Sequence, residues 1–386
     1  MAGRTCYFRQ SSWLNLMNID DLLAIVMERK ASDLHLKVGN YPHLRIDGEL
    51  VPLAEFARIN PEDMLSMAFS MMNNRQKQKL KETSELDLAY GVAGIGRFRV
   101  SIFQQRGNVG IVMRAIPTKI RSLDELNLPP VVDRICDESR GLVLVTGVTG
   151  SGKSTTLASM IDRINSSRAE HIITIEDPIE FLHRDKKGFV NQREVEVDTA
   201  SFATALRGSL RQDPDVILVG EMRDQETIAT ALHAAETGHM VFSTLHTLDA
   251  VETINRIIAV FGPMEQKQIR LQLSATLRSI VSQRLVKRSD GPGRVPAVEV
   301  MISTAYIREC ITVPEKTAQI RDLIAQGGSQ YGMQTFDQSL FQLLKNGLIS
   351  METALENASN PDDFKLKISG VSSTTDSARD QMAGID

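Results

Sequence analysis

The chain has 386 residues, of which 42% are hydrophobic and 24% charged, and carries a formal net charge of −4. That is the make-up of a soluble globular protein with room for two domains. A pI near 6.0 gives no bulk attraction to nucleic acid or anionic lipid, and aromatic residues at 5% leave few stacking platforms for single strands. No nucleic-acid partner is therefore expected. No apolar run reaches the roughly 18 residues of a membrane span and no secretory leader is visible, so a cytoplasmic setting is expected. The three cysteines, Cys6, Cys136 and Cys310, form no C-x-x-C pair, which argues against a zinc knuckle.

Residues 1–16, MAGRTCYFRQSSWLNL, differ in character from the rest of the chain and read as a disordered arm or the product of an upstream start codon. From Met17, apolar Ile19, Leu22, Leu23, Ile25 and Val26 recur at helical spacing, with Asn18 or Asp20 as the cap. LHLKV and HLRIDGELVPL read as strands, the second turning at Asp47-Gly48, a hairpin signal. Glu62 to Lys81 predicts one helix. DLAYGV and GRFRVSIFQQRGNVGIVMRAI then alternate as strands with turns at Gly94–Gly96 and Gly107-Asn108. Residues 17–116 thus predict a small α+β domain, and the proline-bearing 117–130 a linker.

Beyond Val131 the strands GLVLVTG, HIITIED, DVILVGE and HMVFSTLH alternate with helical segments. This pattern predicts an α/β domain over 131–368, a mostly parallel sheet with helices on both faces. Functional groups then belong at the carboxyl ends of the strands. PMEQKQIRLQLSATLRSIVSQRLV, TAYIRECI, QTFDQSLFQLLKNG, SMETALENA and DDFKLKI all read as helices. The polar, Ser/Thr-rich end, 369–386, reads as disordered.

Between the first of those strands and the helical run TTLASMIDRI lies GVTGSGKS, a match to G-x-x-x-x-G-K-[ST] in the right context. Its residues Gly147, Thr149, Gly150, Ser151, Gly152, Lys153, Ser154 and Thr155 are the expected nucleotide-binding set. The glycines let successive amides face the phosphates at a helix N-terminus. Lys153 belongs against the β and γ phosphates and the Ser154 hydroxyl on Mg²⁺. ATP and Mg²⁺ are the expected ligands.

The strand DVILV ends in Gly220-Glu221 instead of the usual magnesium-binding aspartate. IITIEDPIEF delivers Glu176 at another strand end, followed by Asp177 and Glu180. Of Glu176 and Glu221, one polarises the attacking water and the other holds magnesium through its hydration shell; either assignment fits. Asp177 and Glu180 read equally well as turn and surface polarity. His246 follows a buried strand and is a candidate for sensing the γ-phosphate, with His239 a second candidate at the nucleotide. Arg207 and Arg211 share a helical face; Arg97 and Arg99 share a strand face. Such arginines either reach transition-state phosphate or make ordinary ion pairs.

GVTGSGKST, ITIEDPIEF, RQDPDVILVGEMRD and TGHMVFSTLHT, in that order, resemble the secretion-superfamily ATPases of type IV pili and type II secretion. The resemblance runs from about Met17 to Ile368. Within that family the chain looks like the retraction motors, both the PilT-like and the accessory PilU-like branch. The tetracysteine zinc motif of extension motors is absent, and GMQTFDQSLFQLLKNGLIS resembles the retraction branch. The retraction signature departs from its usual form in AYIRECIT, which keeps Ile307, Arg308 and Ile311 but has Thr312 where the last arginine would fall. The resemblance implies a homohexamer of RecA-like P-loop domains, each with a PAS-like N-terminal domain. It implies catalytic roles for Glu221, Glu176, Arg99, Arg207 and Arg211. It further implies an inner-membrane pilus platform protein as partner, with a paralogous motor as a possible second, and a place at the cytoplasmic face of that membrane.

Overall fold

A computed structural model describes residues 18–46, 48–117 and 119–368. The expected leader and tail, Asp47 of the hairpin and Cys6 lie outside the described residues. The chain divides into two compact units between Thr118 and Lys119.

In the first unit, α1 (Ile19–Glu28) is capped by Asn18, whose side chain accepts from the Asp20 amide. Six strands follow in chain order: β1 (Asp33–Lys37), β2 (His43–Ile46), β3 (Glu49–Pro52), β4 (Glu85–Val92), β5 (Gly96–Gln105) and β6 (Asn108–Ile116). They form one antiparallel sheet in the order β3-β2-β1-β6-β5-β4. Leu34, Leu36, Phe98, Val100, Ile102 and Met113 project from it into a core shared with Leu22, Leu23 and Met64. The single helix expected over Glu62–Lys81 is two: α2 (Pro61–Ser70) and α3 (Asn74–Thr83). Asn73 breaks the run. Its side chain accepts from the Gln76 amide while Gln76 accepts from the Asn73 amide, a reciprocal cap that starts a new helix.

The second unit is built on seven strands: β7 (Gly141–Thr146), β8 (His171–Glu176), β9 (Phe189–Glu194), β10 (Val216–Val219), β11 (Met240–Leu245), β12 (Leu277–Lys287) and β13 (Arg294–Ile302). Their order is β13-β12-β7-β11-β10-β8-β9, parallel throughout except for β13. Every residue of β7, β10 and β11 is buried, which is why these strands read as unbroken apolar runs. On one face pack α4 (Val131–Ile135) and α5 (Lys153–Ser167). On the other lie α6 (Phe202–Ser209), α7 (Gln225–Glu236), α8 (Ala250–Ala259), α9 (Pro263–Thr276) and α10 (Ala305–Thr312). Short helices α11 (Ile320–Gln326), α12 (Gly328–Tyr331), α13 (Phe336–Lys345), α14 (Met351–Asn357) and α15 (Pro361–Ile368) complete the unit. Phe336, Leu340 and Phe364 there cover Val286, Val295 and Ala297 in a separate small core. Leu123 and Leu128, from the expected linker, are buried with α4 and α5.

The long helix expected from Pro263 to Val286 ends at Thr276, and LRSIVSQRLVK is strand β12. Its apolar residues fit either period, and the neighbouring edge of β7 decides the outcome by pairing Ser279–Ser282 with Val143–Thr146. Strands β9 and β13 are additions to the expected set.

Candidate functional site

The phosphate loop leaves the carboxyl end of β7 and enters α5. Gly147, Gly150 and Gly152 hold φ of 141°, 78° and 94°, a region that side-chain-bearing residues rarely occupy. A Cβ at Gly147 would also stand 2.4 Å from the Gln283 carbonyl oxygen and 2.5 Å from Ser151 Oγ. The first turn of α5 has no side-chain cap, unlike α6, α7 and α8, capped by Ser201, Asp224 and Asp249. Its leading amides are therefore available to an anion. Ser151 Oγ is buried without a partner, and Lys153, 8% exposed, donates back to the carbonyls of Gly147 at 2.8 Å and Val148 at 3.0 Å. Curled glycines, an uncapped helix start, an orphaned hydroxyl and a folded-back lysine fit the phosphates of a nucleotide. Half-buried Ser154 and Thr155 lie in the first turn of α5, while Thr149 is exposed at the tip of the loop.

Three strand ends converge on Lys153. Burial pulls its ammonium below the usual range, opposed by the carboxylates of Glu180 and Glu221. Glu221, one residue past Gly220, pairs with Arg223 at 2.7 Å and has His246 Nε2 at 3.7 Å. The His246 imidazole, just past β11, is held below its ordinary range by burial and by Lys153, with Glu221 opposing. A neutral ring is thus favoured at neutral pH. Glu221, His246 and Lys153 form one cluster.

Glu176 is turned the other way. Its carboxylate accepts from Thr174 Oγ1 at 2.7 Å, from Gln192 Nε2 on β9 at 3.1 Å and from the Glu180 amide at 3.3 Å. Burial raises its carboxyl above the usual range despite these donors. The carboxylate facing Lys153 from this segment is Glu180, whose role the sequence left open beside a surface reading. His239 is not brought to the loop. It precedes β11, at the opposite end of the strand from His246, and contacts Ala234 O at 2.9 Å and Thr237 Oγ1 at 3.2 Å near the end of α7. Arg207 is ion-paired with Glu226 of α7, and Arg211, beyond the end of α6, donates to the Arg207 carbonyl. Arg99 is exposed on β5, opposite Arg114 of β6.

Two supports had no signal in the sequence because they lie on β12, in a stretch read as helix. Gln283 Nε2 donates to Thr156 Oγ1 of α5 at 2.8 Å, and Ser282 Oγ accepts from Thr146 Oγ1 at 2.9 Å. Together they buttress the start of the loop and the helix it enters.

The chain is similar to known proteins along most of its length. The chain is 49% identical to the type IV pilus retraction ATPase PilT of Pseudomonas aeruginosa, over 90% of this chain and all of that protein. It is 41% identical to the type IV pilus ATPase PilU of the same organism, over 91% of each. A crystal structure of the pilus retraction motor PilT with bound ADP superposes with a TM-score of 0.83 at 48% identity, covering 90% of this chain and 98% of that one. The profile of the type II/IV secretion system proteins matches residues 12–339, and the chain belongs to that family.

Proposed function

We propose that the protein is a homohexameric motor that hydrolyses ATP to ADP and phosphate and uses the energy to retract type IV pili, driving twitching motility. The observation that carries this reading is the phosphate loop with Glu221 and His246 gathered on Lys153, in a chain similar to PilT along almost its whole length. Higher identity to PilT than to PilU favours the principal motor over an accessory paralogue.

In this reading the second unit is a RecA-like ATPase domain and the first a PAS-like domain. The amides of Gly147 to Thr155 and the Lys153 ammonium hold the phosphates. Ser154 would hold Mg²⁺ and, of the two carboxylates expected to reach the ion through water, Glu221 lies on the Lys153 side while Glu176 faces Thr174 and Gln192. The ion's contribution is to neutralise charge on the phosphate oxygens. Glu221 orients the attacking water and takes up its proton. Neutral His246 hydrogen-bonds the γ-phosphate side of the cluster. Arg99, Arg207 and Arg211 bring positive charge to the nucleotide from a neighbouring subunit, and His239 meets a nucleotide only across such a boundary. No described helix is long and apolar enough to cross a membrane, consistent with a motor docked on an inner-membrane platform protein from the cytoplasmic side.

The test is a deletion strain restored with wild type or Lys153→Ala, alongside ATPase assays of both purified proteins. Hyperpiliated, non-twitching cells rescued only by wild type, and turnover lost in the variant, are expected. Bald cells would point to an extension motor, and normal pili to an accessory one.

A further inference from the structure

Glu299 of β13 is a buried carboxylate, 5% exposed, with no part in the hydrolytic roles assigned to Lys153, Glu221 and His246. It lies on one rung across four strands. Leu245 pairs with Thr146, Thr146 with Ser282, and Ser282 with Glu299. The rung ends β7 just before Gly147 of the phosphate loop and ends β11 just before His246. Thr146 and Ser282 are hydrogen-bonded along it. Glu299 Oε1 accepts at 2.9 Å from the amide of Ala250, the first residue of α8.

Between His246 and Ala250 the chain is tightly tied. Thr247, 2% exposed, shares a hydrogen bond of 2.7 Å with Thr253, which donates in turn to the Asp249 carbonyl at 2.7 Å. The Asp249 side chain caps the helix at the Glu252 amide, and Glu252 accepts from the Leu248 amide. These bonds tie Thr247, Leu248 and Asp249, the three residues between His246 and α8, to the start of that helix.

We propose that Glu299 is a positioning residue for ATP hydrolysis, anchoring the start of α8 so that His246 is held against Glu221. This rests on the reading of the Lys153–Glu221–His246 cluster as the hydrolytic site. The anchor is strongest when Glu299 is ionised, because a carboxylate accepts a backbone N–H more strongly than a neutral acid and favours a helix N-terminus. Burial pushes its carboxyl up to about 7, with Asp249 acting in the same direction and the Ala250 amide, Arg321 and Arg284 acting against it. Asp249 caps α8, Arg321 lies on α11 and Arg284 on β12, and Arg321 is itself paired with Asp249 at 2.9 Å. Turnover is thus expected to climb with pH through a step near 7.

Stability runs the opposite way. The folded-state value lies above the ordinary 4.5, so the folded chain binds the proton more tightly and loses stability as pH rises from about 4.5 to about 7. Glu299→Gln keeps an acceptor for the Ala250 amide but cannot ionise. It escapes that loss and also forgoes the stronger anchor.

The experiment is steady-state ATP hydrolysis by the full-length protein from pH 5.5 to 9, with nucleotide affinity and thermal melting measured in parallel. Wild type, Glu299→Gln and Arg321→Gln are compared. Glu299→Gln is expected to lose the step near neutrality and to turn over about tenfold more slowly at the alkaline end, the scale of one charge-assisted hydrogen bond. Its affinity for ADP should be unchanged and its melting temperature at pH 8 no lower than wild type. Arg321→Gln should move the step to higher pH, since it removes a charge that favours the carboxylate. A step that persists in Glu299→Gln, equal turnover at every pH, or a Glu299→Gln protein that melts lower or fails to fold would overturn the proposal. Absence of ATP hydrolysis by wild type, or turnover retained in Lys153→Ala, would instead overturn the hydrolytic reading on which it depends.

Discussion

Gly147 is the residue at which backbone geometry and chemistry meet. Its φ of 141° and the Gln283 carbonyl oxygen, 2.4 Å from where a Cβ would stand, leave no room for a side chain. Gly147→Ala would add about 1–3 kcal/mol of backbone strain to that overlap. A lower melting temperature and nucleotide binding weakened about tenfold or more, measured by fluorescence titration with an ADP analogue, are expected. Glu221 works differently, since its carboxylate acts on Lys153 from beyond the end of β10 and is no part of the loop itself. Glu221→Gln should leave ADP affinity within about twofold and slow hydrolysis by about 10²–10⁴, the usual worth of a positioned general base. Lost affinity with intact turnover of the bound fraction would reassign Glu221 to the metal. Glu180 stands closer to this chemistry than its sequence context suggested, because Glu176 is spent on Thr174, Gln192 and the Glu180 amide.

Among the elements, helix caps and strand edges decide where each segment stops. Met64, Met67, Ala68, Met71 and Met72 keep helical spacing up to the break, where the reciprocal Asn73–Gln76 cap divides α2 from α3. Asn73→Ala should cost about 1 kcal/mol in chemical denaturation of the first unit; an unchanged midpoint would show that packing alone separates the helices. The absence of a side-chain cap on α5 has the converse meaning, because those amides are left for a ligand. Strand β12 acts in both roles, pairing with β7 and presenting Ser282 and Gln283 to the loop.

For the whole molecule, the distribution of arginines is the informative feature. Arg207 and Arg211 are engaged within the chain on the α6–α7 surface, while Arg99 is exposed on the sheet of the first unit. If assembly carries Arg99 to a nucleotide, Arg99→Ala should lower turnover about tenfold or more with folding and oligomeric state unchanged, as read by ATPase assay and sedimentation. Wild-type turnover in that variant would leave Arg99 a surface residue.

Much of this was legible in the chain itself. The phosphate loop, the strand-end carboxylates and the histidine after β11 are local patterns, set by glycine conformations and by unbroken apolar runs that only a sheet covered on both faces can bury. Family membership followed from the order of those motifs. What only the tertiary structure decided was direction and partnership. Glu176 turns toward β9 and Glu180 toward Lys153, and LRSIVSQRLVK becomes a strand because β7 offers it an edge. Glu299 could not be singled out beforehand, since its meaning comes from Ala250 49 residues earlier in the chain. Such contacts are settled when the whole sheet closes, by pairing and burial that no local pattern encodes.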